Sequence, residues 1–331
     1  MEIDVSLRGS CGRAGGGAAG RGGVRFNIDP PVLSAHHSVS MKSRILSLLV
    51  LALLLAGTAW SKTLTVAEWN LEWFPGRSPN ATPEAQQKHM EAAQRVLKQL
   101  NPDIFLAEEV GDWDSFAKLI SVVPKLQVHT VGAFRQGSAI GRQQPAIASR
   151  LPANSTWSEP WKPGQANPPR GLAFAALTLP DGKLLFVYAV HLKSNSTSGG
   201  GSPEGNRAKR EDSAHQLIVH VADMQTAYKG YKILGTVVGG DFNTNLENPD
   251  WKNEKTIPIF EEAGFWNTWS GVAPEHRLTW KGSGSFPTTT FDFFFVRGLG
   301  KLTASLWKAG EDASDHEPVV LKIEIPDGPA H

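Results

Sequence analysis

The chain has 331 residues, with 33 Lys+Arg against 32 Asp+Glu and a formal charge of +1, a balance that excludes binding of nucleic acid through bulk positive charge. Hydrophobic residues make up 40% and charged residues 20%, enough apolar material for a core and too little charge for a wholly disordered chain. The single cysteine, Cys11, excludes an internal disulfide framework and any zinc site built on several thiolates.

Residues 1–40 are Gly/Arg/Ala-rich without apolar periodicity and read as disordered or as a mis-assigned start. A basic stretch follows at Met41-Lys42-Ser43-Arg44, then an apolar run from Ile45 to Ala59, then small residues. That order is the pattern of a secretory signal peptide over residues 41–61. The apolar run spans 15 residues, short of the ~20 that a spanning helix needs. The expectation is export, to a periplasm or the medium, with the folded chain starting near Lys62. No linker or fixed-period repeat divides residues 62–331, which read as a single domain.

Leu64 to Trp69 forms the first expected strand. Thr82 can cap a helix that carries Pro83 at its first position and ends at Asn101-Pro102, with Ala93, Val96, Leu97 and Leu100 at helical spacing. Asp103 to Ala107 reads as a buried strand, and Trp113, Phe116, Ala117 and Ile120 fit a second helix. Pro145 to Ser149, Ala173 to Leu179 and Leu184 to Val190 are further strands, the last two joined by a Pro180-Asp181-Gly182 turn. Residues 194–206 form a Ser/Gly/Asn/Pro-rich loop before a helix from Arg207 to Tyr228. Tyr231 to Val238, Phe291 to Val296 and Pro318 to Ile325 complete the strands. Strands punctuated by helices favour sheets covered by helices.

Polar residues gather where these apolar strands stop. Asn70 and Glu72 follow the first strand, Glu108 and Glu109 the second, and His191 follows Phe186 to Val190. Asp241 and Asn243 stand in a Gly-rich turn after Ile233 to Val238. Asp292 lies between phenylalanines, and Asp315-His316 opens the last strand. A carboxylate between two Phe side chains is costly to bury unless it is paired, and a histidinium or a metal ion is its natural partner. Carboxylates and an amide at the ends of separate strands can converge on one cation, and hard oxygen donors without thiolates select Mg²⁺, Mn²⁺ or Ca²⁺. Two histidines beside such an ion can hold a phosphate and move protons. One polar group of the Asp241/Asn243 pair can orient water while the other donates to a phosphoryl oxygen, which is the chemistry of in-line attack on phosphorus.

Six segments in order resemble the endonuclease/exonuclease/phosphatase superfamily, deoxyribonuclease I-like enzymes included: 68–72, 103–109, 190–194, 240–243, 291–294 and 314–316. The resemblance implies an α/β fold, a four-layer αββα sandwich of two facing sheets with helices outside, and a site at one rim of the sheets. It implies metal-side roles for Asn70, Glu109 and Asp315. Glu72 stands where relatives often carry Asn or Asp, so its metal role is an open expectation. The resemblance further implies that His191 and His316 contact the phosphate, Asp241 orients or deprotonates the nucleophilic water, Asn243 is the transition-state amide and Asp292 pairs with His316. Glu108 falls where relatives often have Gln, and no acid partner for His191 is apparent in the sequence.

The substrate is not fixed by the resemblance. Lys193, Arg207 and Arg210 flank the loop after His191 and can meet backbone phosphates; Arg135, Arg142 and Arg150 are further candidates. The expectation is an exported, Mg²⁺-dependent endonuclease acting on nucleic acid as a monomer, without an obligate protein partner. The alternatives are a sphingomyelinase-like enzyme on a phospholipid, with Trp157 and Trp161 as candidate bilayer contacts, and an inactive binding protein on the same scaffold.

Overall fold

The computed structural model describes residues 61–197, 201–245, 248, 251–284 and 286–326. The segments expected to be disordered (1–40) and to carry the export signal (41–61) lie, Ser61 apart, outside the described residues. Among the described residues no helix is long and apolar enough to cross a membrane.

In chain order the elements are β1 (Ser61–Phe74), α1 (Pro83–Leu100), β2 (Ile104–Val110), α2 (Trp113–Ile120), β3 (Gln127–Val131), β4 (Arg135–Gln136), β5 (Ala139–Ile140), β6 (Gln144–Ser149), β7 (Ala153–Pro160), β8 (Gly171–Thr178), β9 (Leu184–His191), α3 (Pro203–Ala227), β10 (Ile233–Asp241), α4 (Thr256–Glu262), β11 (Trp266–Asn267), β12 (Asp292–Arg297), β13 (Ser305–Leu306) and β14 (Val319–Pro326). One six-stranded sheet runs β13-β14-β1-β2-β6-β3 and the other β11-β12-β10-β9-β8-β7.

Alternation along β1 builds three of the four layers. Leu64 and Val66 join the apolar cluster that contains both sheets' inner faces, whereas Ala67, Trp69 and Leu71 join a second cluster with Met90, Ala93 and Leu97 of α1 and Phe116 and Leu119 of α2. Ala214, Leu217 and Val221 of α3, with Ile257 and Phe260 of α4, cover the second sheet. The result is the expected αββα sandwich. Helix α1 begins where the sequence places it: the Thr82 side chain accepts the amide of Ala85, and Asn101 closes the helix in the left-handed conformation.

Strands β3 and β7, the two-residue strands β4, β5, β11 and β13, and helix α4 escape the periodicity reading. Strand β3 is half-polar, and β7 carries Ser155, Thr156 and Ser158 along a sheet edge. The seven residues of α4 are too few to show a helical period. Helix α3 starts at Pro203, capped by Ser202, so the loop expected over 194–206 is shorter than its composition suggests.

Candidate active site

Strand pairing places three candidate residues side by side. In β9, β10 and β12, His191 is in register with Asp241, and Asp241 with Asp292. Residues paired across neighbouring strands point to one face, so all three side chains arrive together at one rim of the second sheet. Gly240 makes the approach possible. Its φ is +148°, and a Cβ there would lie 1.9 Å from the carbonyl oxygen of Val190.

The first sheet supplies the opposite wall. Asn70 of β1 pairs with Glu108 of β2, and the register breaks immediately after both. Glu109 takes a positive φ of 60° at that bulge, which redirects its side chain relative to Glu108. Glu109 lines the cleft, and its Oε2 accepts the Trp73 amide at 2.7 Å. Glu108 instead lies fully buried with Glu68. Burial, together with the nearby charges of Asp292 and Asp241, holds both of these carboxyl groups well above the usual carboxylate range.

The hydrogen bonds assign distinct states to the polar groups. Asp241 Oδ2 accepts from Asn70 Nδ2 and from Asn243 Nδ2, each at 2.9 Å, and Oδ1 accepts the Asn243 amide at 2.8 Å. Burial, then Asp292, pushes Asp241 up to about 7 against the pull of His316 and these donors. His316 Nδ1 lies 2.8 Å from Asp292 Oδ2. Burial alone would lower the pKa of this imidazole, but Asp292 raises it to about 10. His191 is the opposite case. Burial, then the positive field of Arg170 and His316, drives it well below its ordinary value, and its Nδ1 has no hydrogen-bond partner. At neutral pH one histidine is thus a cation and the other a neutral imidazole.

Hydrogen bonds tie several of the expected site residues to one another. Asn70 donates to Asp241 and accepts the Glu72 amide through Oδ1, which holds Asp241 in place, and it does not line the cleft. Glu72 is likewise engaged: its Oε2 accepts the Asp315 amide at 2.9 Å and Arg77 Nε at 2.7 Å, which positions Asp315. Asn243 lines the cleft and directs its side-chain amide to Asp241 and to the Leu192 carbonyl, which braces the acid. The three bases expected to bind substrate do not line the cleft. Lys193 Nζ donates to Ser194 and Ser196, and burial with neighbouring cations lowers it to about 8. Arg207 is half-buried on α3. Arg210 is fully buried and forks onto Glu254 at 2.7 and 2.5 Å. Arg150 pairs with Asp103 at 3.2 Å.

The cleft, about 1000 Å³ in volume, is lined by Glu109, His191, Asp241, Asn243, Asp315 and His316, and by residues that the sequence does not single out. Arg170 enters at a positive φ of 68°. Its Nε and one terminal nitrogen donate to the carbonyls of His191 and Leu192 at 2.9 and 2.6 Å, fixing its fork beside Glu109 and Asp241. Trp280 donates its indole N–H to Asp315 Oδ2 at 2.9 Å. The only sequence signal for Arg170 is its place at the mouth of a strand after Pro168-Pro169; Trp280 has none, because its partner lies 35 residues away.

The donor set fits a hard divalent cation. Glu109 and Asp315 bring carboxylate oxygens to the cleft. Ligand atoms of Asp241, Asp292 and His316 lie within 4.8 Å of one another, and Asp292 Oδ1 is buried without a hydrogen-bond partner. Among the described residues there is no cysteine, so oxygen-preferring Mg²⁺, Mn²⁺ or Ca²⁺ match better than soft metals.

The fold is the two-sheet sandwich of phosphoesterases. The chain belongs to the Endonuclease/Exonuclease/phosphatase family, whose model matches residues 67–316; its members hydrolyse phosphoester bonds and are typically dependent on divalent metal. Solved structures share the fold at low identity. An endonuclease/exonuclease/phosphatase from Beutenbergia cavernae superposes with a TM-score of 0.59 at 17% identity, covering 82% of this chain and 73% of its own. Staphylococcus aureus beta toxin gives 0.58 at 18%, covering 78% and 99%. Truncated Caenorhabditis elegans TDP2 gives 0.56 at 17%, covering 80% and 98%. No curated protein matches the chain significantly.

Proposed function

We propose that this protein is a divalent-metal-dependent phosphodiesterase and, more specifically, an exported endonuclease acting on DNA or RNA. The observation that carries the reading is the pairing of the His316 imidazolium with Asp292 at 2.8 Å, beside an Asp241 held by three N–H donors in an open cleft. His316 donates to a non-bridging phosphate oxygen, and Asp292 keeps it charged and oriented. Asp241 accepts from a water and aims it at phosphorus, with Asn70 and Asn243 preventing rotation of its carboxylate. Neutral His191 offers Nε2, 3.5 Å from Asp241 Oδ2 and 3.8 Å from Glu109 Oε1, as a second contact to the phosphate. Arg170 adds fixed positive charge. Glu109 and Asp315 would hold the cation, which when bound offsets charge on the phosphoryl and leaving oxygens.

The indole rings of Trp251 and Trp280 line the cleft and suit nucleobases, with buried Phe291 packed between them. The phospholipid alternative loses the bilayer contacts first considered for it. Trp161 is buried, and Trp157 packs 4.5 Å from Phe174 against the core. The export component rests on the signal-like segment 41–61. The test is hydrolysis of plasmid DNA, RNA, sphingomyelin and a generic phosphodiester with Mg²⁺, Mn²⁺ or Ca²⁺ and with chelator. Chelator-sensitive cleavage of DNA or RNA is expected; cleavage of sphingomyelin alone, or of nothing, contradicts the reading.

A further inference from the structure

Six large apolar side chains are exposed among the described residues: Trp113, Ile140, Val219, Tyr231, Phe286 and Trp307. Phe286 is the most exposed of them, at 66%, and it alone lines the cleft. It stands at the tip of a turn that grows out of the site. Trp280 and Thr289 bridge at the base, and Ser283 and Phe286 exchange backbone hydrogen bonds of 3.2 and 3.0 Å at the tip. Gly282, at φ +81°, allows the close return, because a Cβ there would lie 2.6 Å from the Phe286 carbonyl oxygen. At the base the Trp280 ring packs 5.3 Å from Phe291 while its N–H holds Asp315. One short segment therefore joins the metal-side carboxylate to an exposed aromatic face.

The chemistry of the turn narrows what that ring can meet. Lys281 is the only charged residue between 281 and 289, and its ammonium turns back onto the carbonyls of Gly310 and Ser314 at 3.0 and 2.7 Å. Interfacial membrane binding grows with buried apolar area and with basic charge facing anionic lipid; a single ring without a free ammonium supplies little of either. A nucleobase needs only a π-face, whatever its identity. In a duplex those faces are covered by neighbouring bases, whereas an unpaired strand exposes them.

We infer that Phe286 is a stacking platform for an unpaired base flanking the scissile phosphate, so that the cleft selects single-stranded nucleic acid; this rests on the nuclease reading above. The test compares kcat/KM on a single-stranded oligonucleotide with that on the same strand carrying stable abasic residues around the scissile phosphate. The wild type should favour the base-bearing strand by about 5- to 150-fold, chiefly through KM. Phe286→Ala should lower that preference at least about fivefold and Phe286→Trp should keep it. Equal rates on the two strands, or a preference unchanged in Phe286→Ala, overturn the inference while leaving the nuclease reading intact. A wild type that hydrolyses a small diester but cuts neither strand overturns both. Cosedimentation of the wild type with phosphatidylcholine–sphingomyelin vesicles that is lost in Phe286→Ala also overturns it, by assigning the ring to a membrane.

Discussion

His316 and His191 show how burial alone does not decide the charge of a residue. Both are buried in one cleft, yet Asp292 makes one a cation with a pKa near 10 while Arg170 and burial keep the other neutral. The His316 shift has a consequence for stability. Its folded pKa lies above the ~6.5 of an unfolded histidine, so its contribution is fully present below about pH 6.5 and is lost as pH rises through about 10. Denaturant midpoints measured from pH 6 to 10 should fall more steeply for the wild type than for His316→Gln. Parallel profiles would show that the imidazolium–Asp292 pair is not formed in solution. At this scale the acids and histidines were legible because apolar strands made each polar residue conspicuous. Arg170 was not, since its value comes from carbonyls of another strand and from a backbone angle that no side-chain pattern encodes.

Helix α3 is where an element corrects a residue-level reading. In the sequence Arg210, with Lys193 and Arg207, reads as a base beside the loop after His191 that can meet backbone phosphates. It nonetheless falls on the stripe that continues through Ala214, Leu217 and Val221, all buried, and that periodicity could have found it. Buried there, its guanidinium joins three pieces of chain: Glu254 before α4, the Lys193 carbonyl after β9, and α3 itself. Thr256 adds a 2.7 Å bond to Glu254 Oε1. Removing one partner leaves the other charge buried and uncompensated, at a cost of about 3–5 kcal/mol. Chemical denaturation should therefore show a loss of that order in Arg210→Met or Glu254→Gln, and a smaller loss in an Arg210→Met/Glu254→Leu double variant. Unchanged stability with a raised KM would return Arg210 to substrate binding. The short polar strands and α4 stayed hidden for the complementary reason: β7 at a sheet edge and β3 with its mixed faces owe their pairing to partners distant in sequence.

For the molecule as a whole, the two sheets matter because their rims meet. Asn70 of one sheet donates to Asp241 of the other at 2.9 Å, and His316, leading into the first sheet, grips Asp292 of the second. In the sequence the four-layer architecture follows from the family resemblance of six ordered segments; the strand and helix periods alone reach only sheets covered by helices. How those groups are held depends on contacts between distant segments that the sequence does not display, as the hydrogen bonds of Asn70, Glu72 and Asn243 show. Removing either central group should disable turnover without unfolding the sandwich, because each lies at a strand end rather than in the apolar layers. The most direct measurement is the rate of metal-dependent hydrolysis of bis(p-nitrophenyl) phosphate by Asp241→Asn and His316→Gln, with circular dichroism confirming the fold. Losses of about 10²- to 10⁴-fold in both variants are predicted; folded variants that each keep activity within tenfold of the wild type would contradict the account.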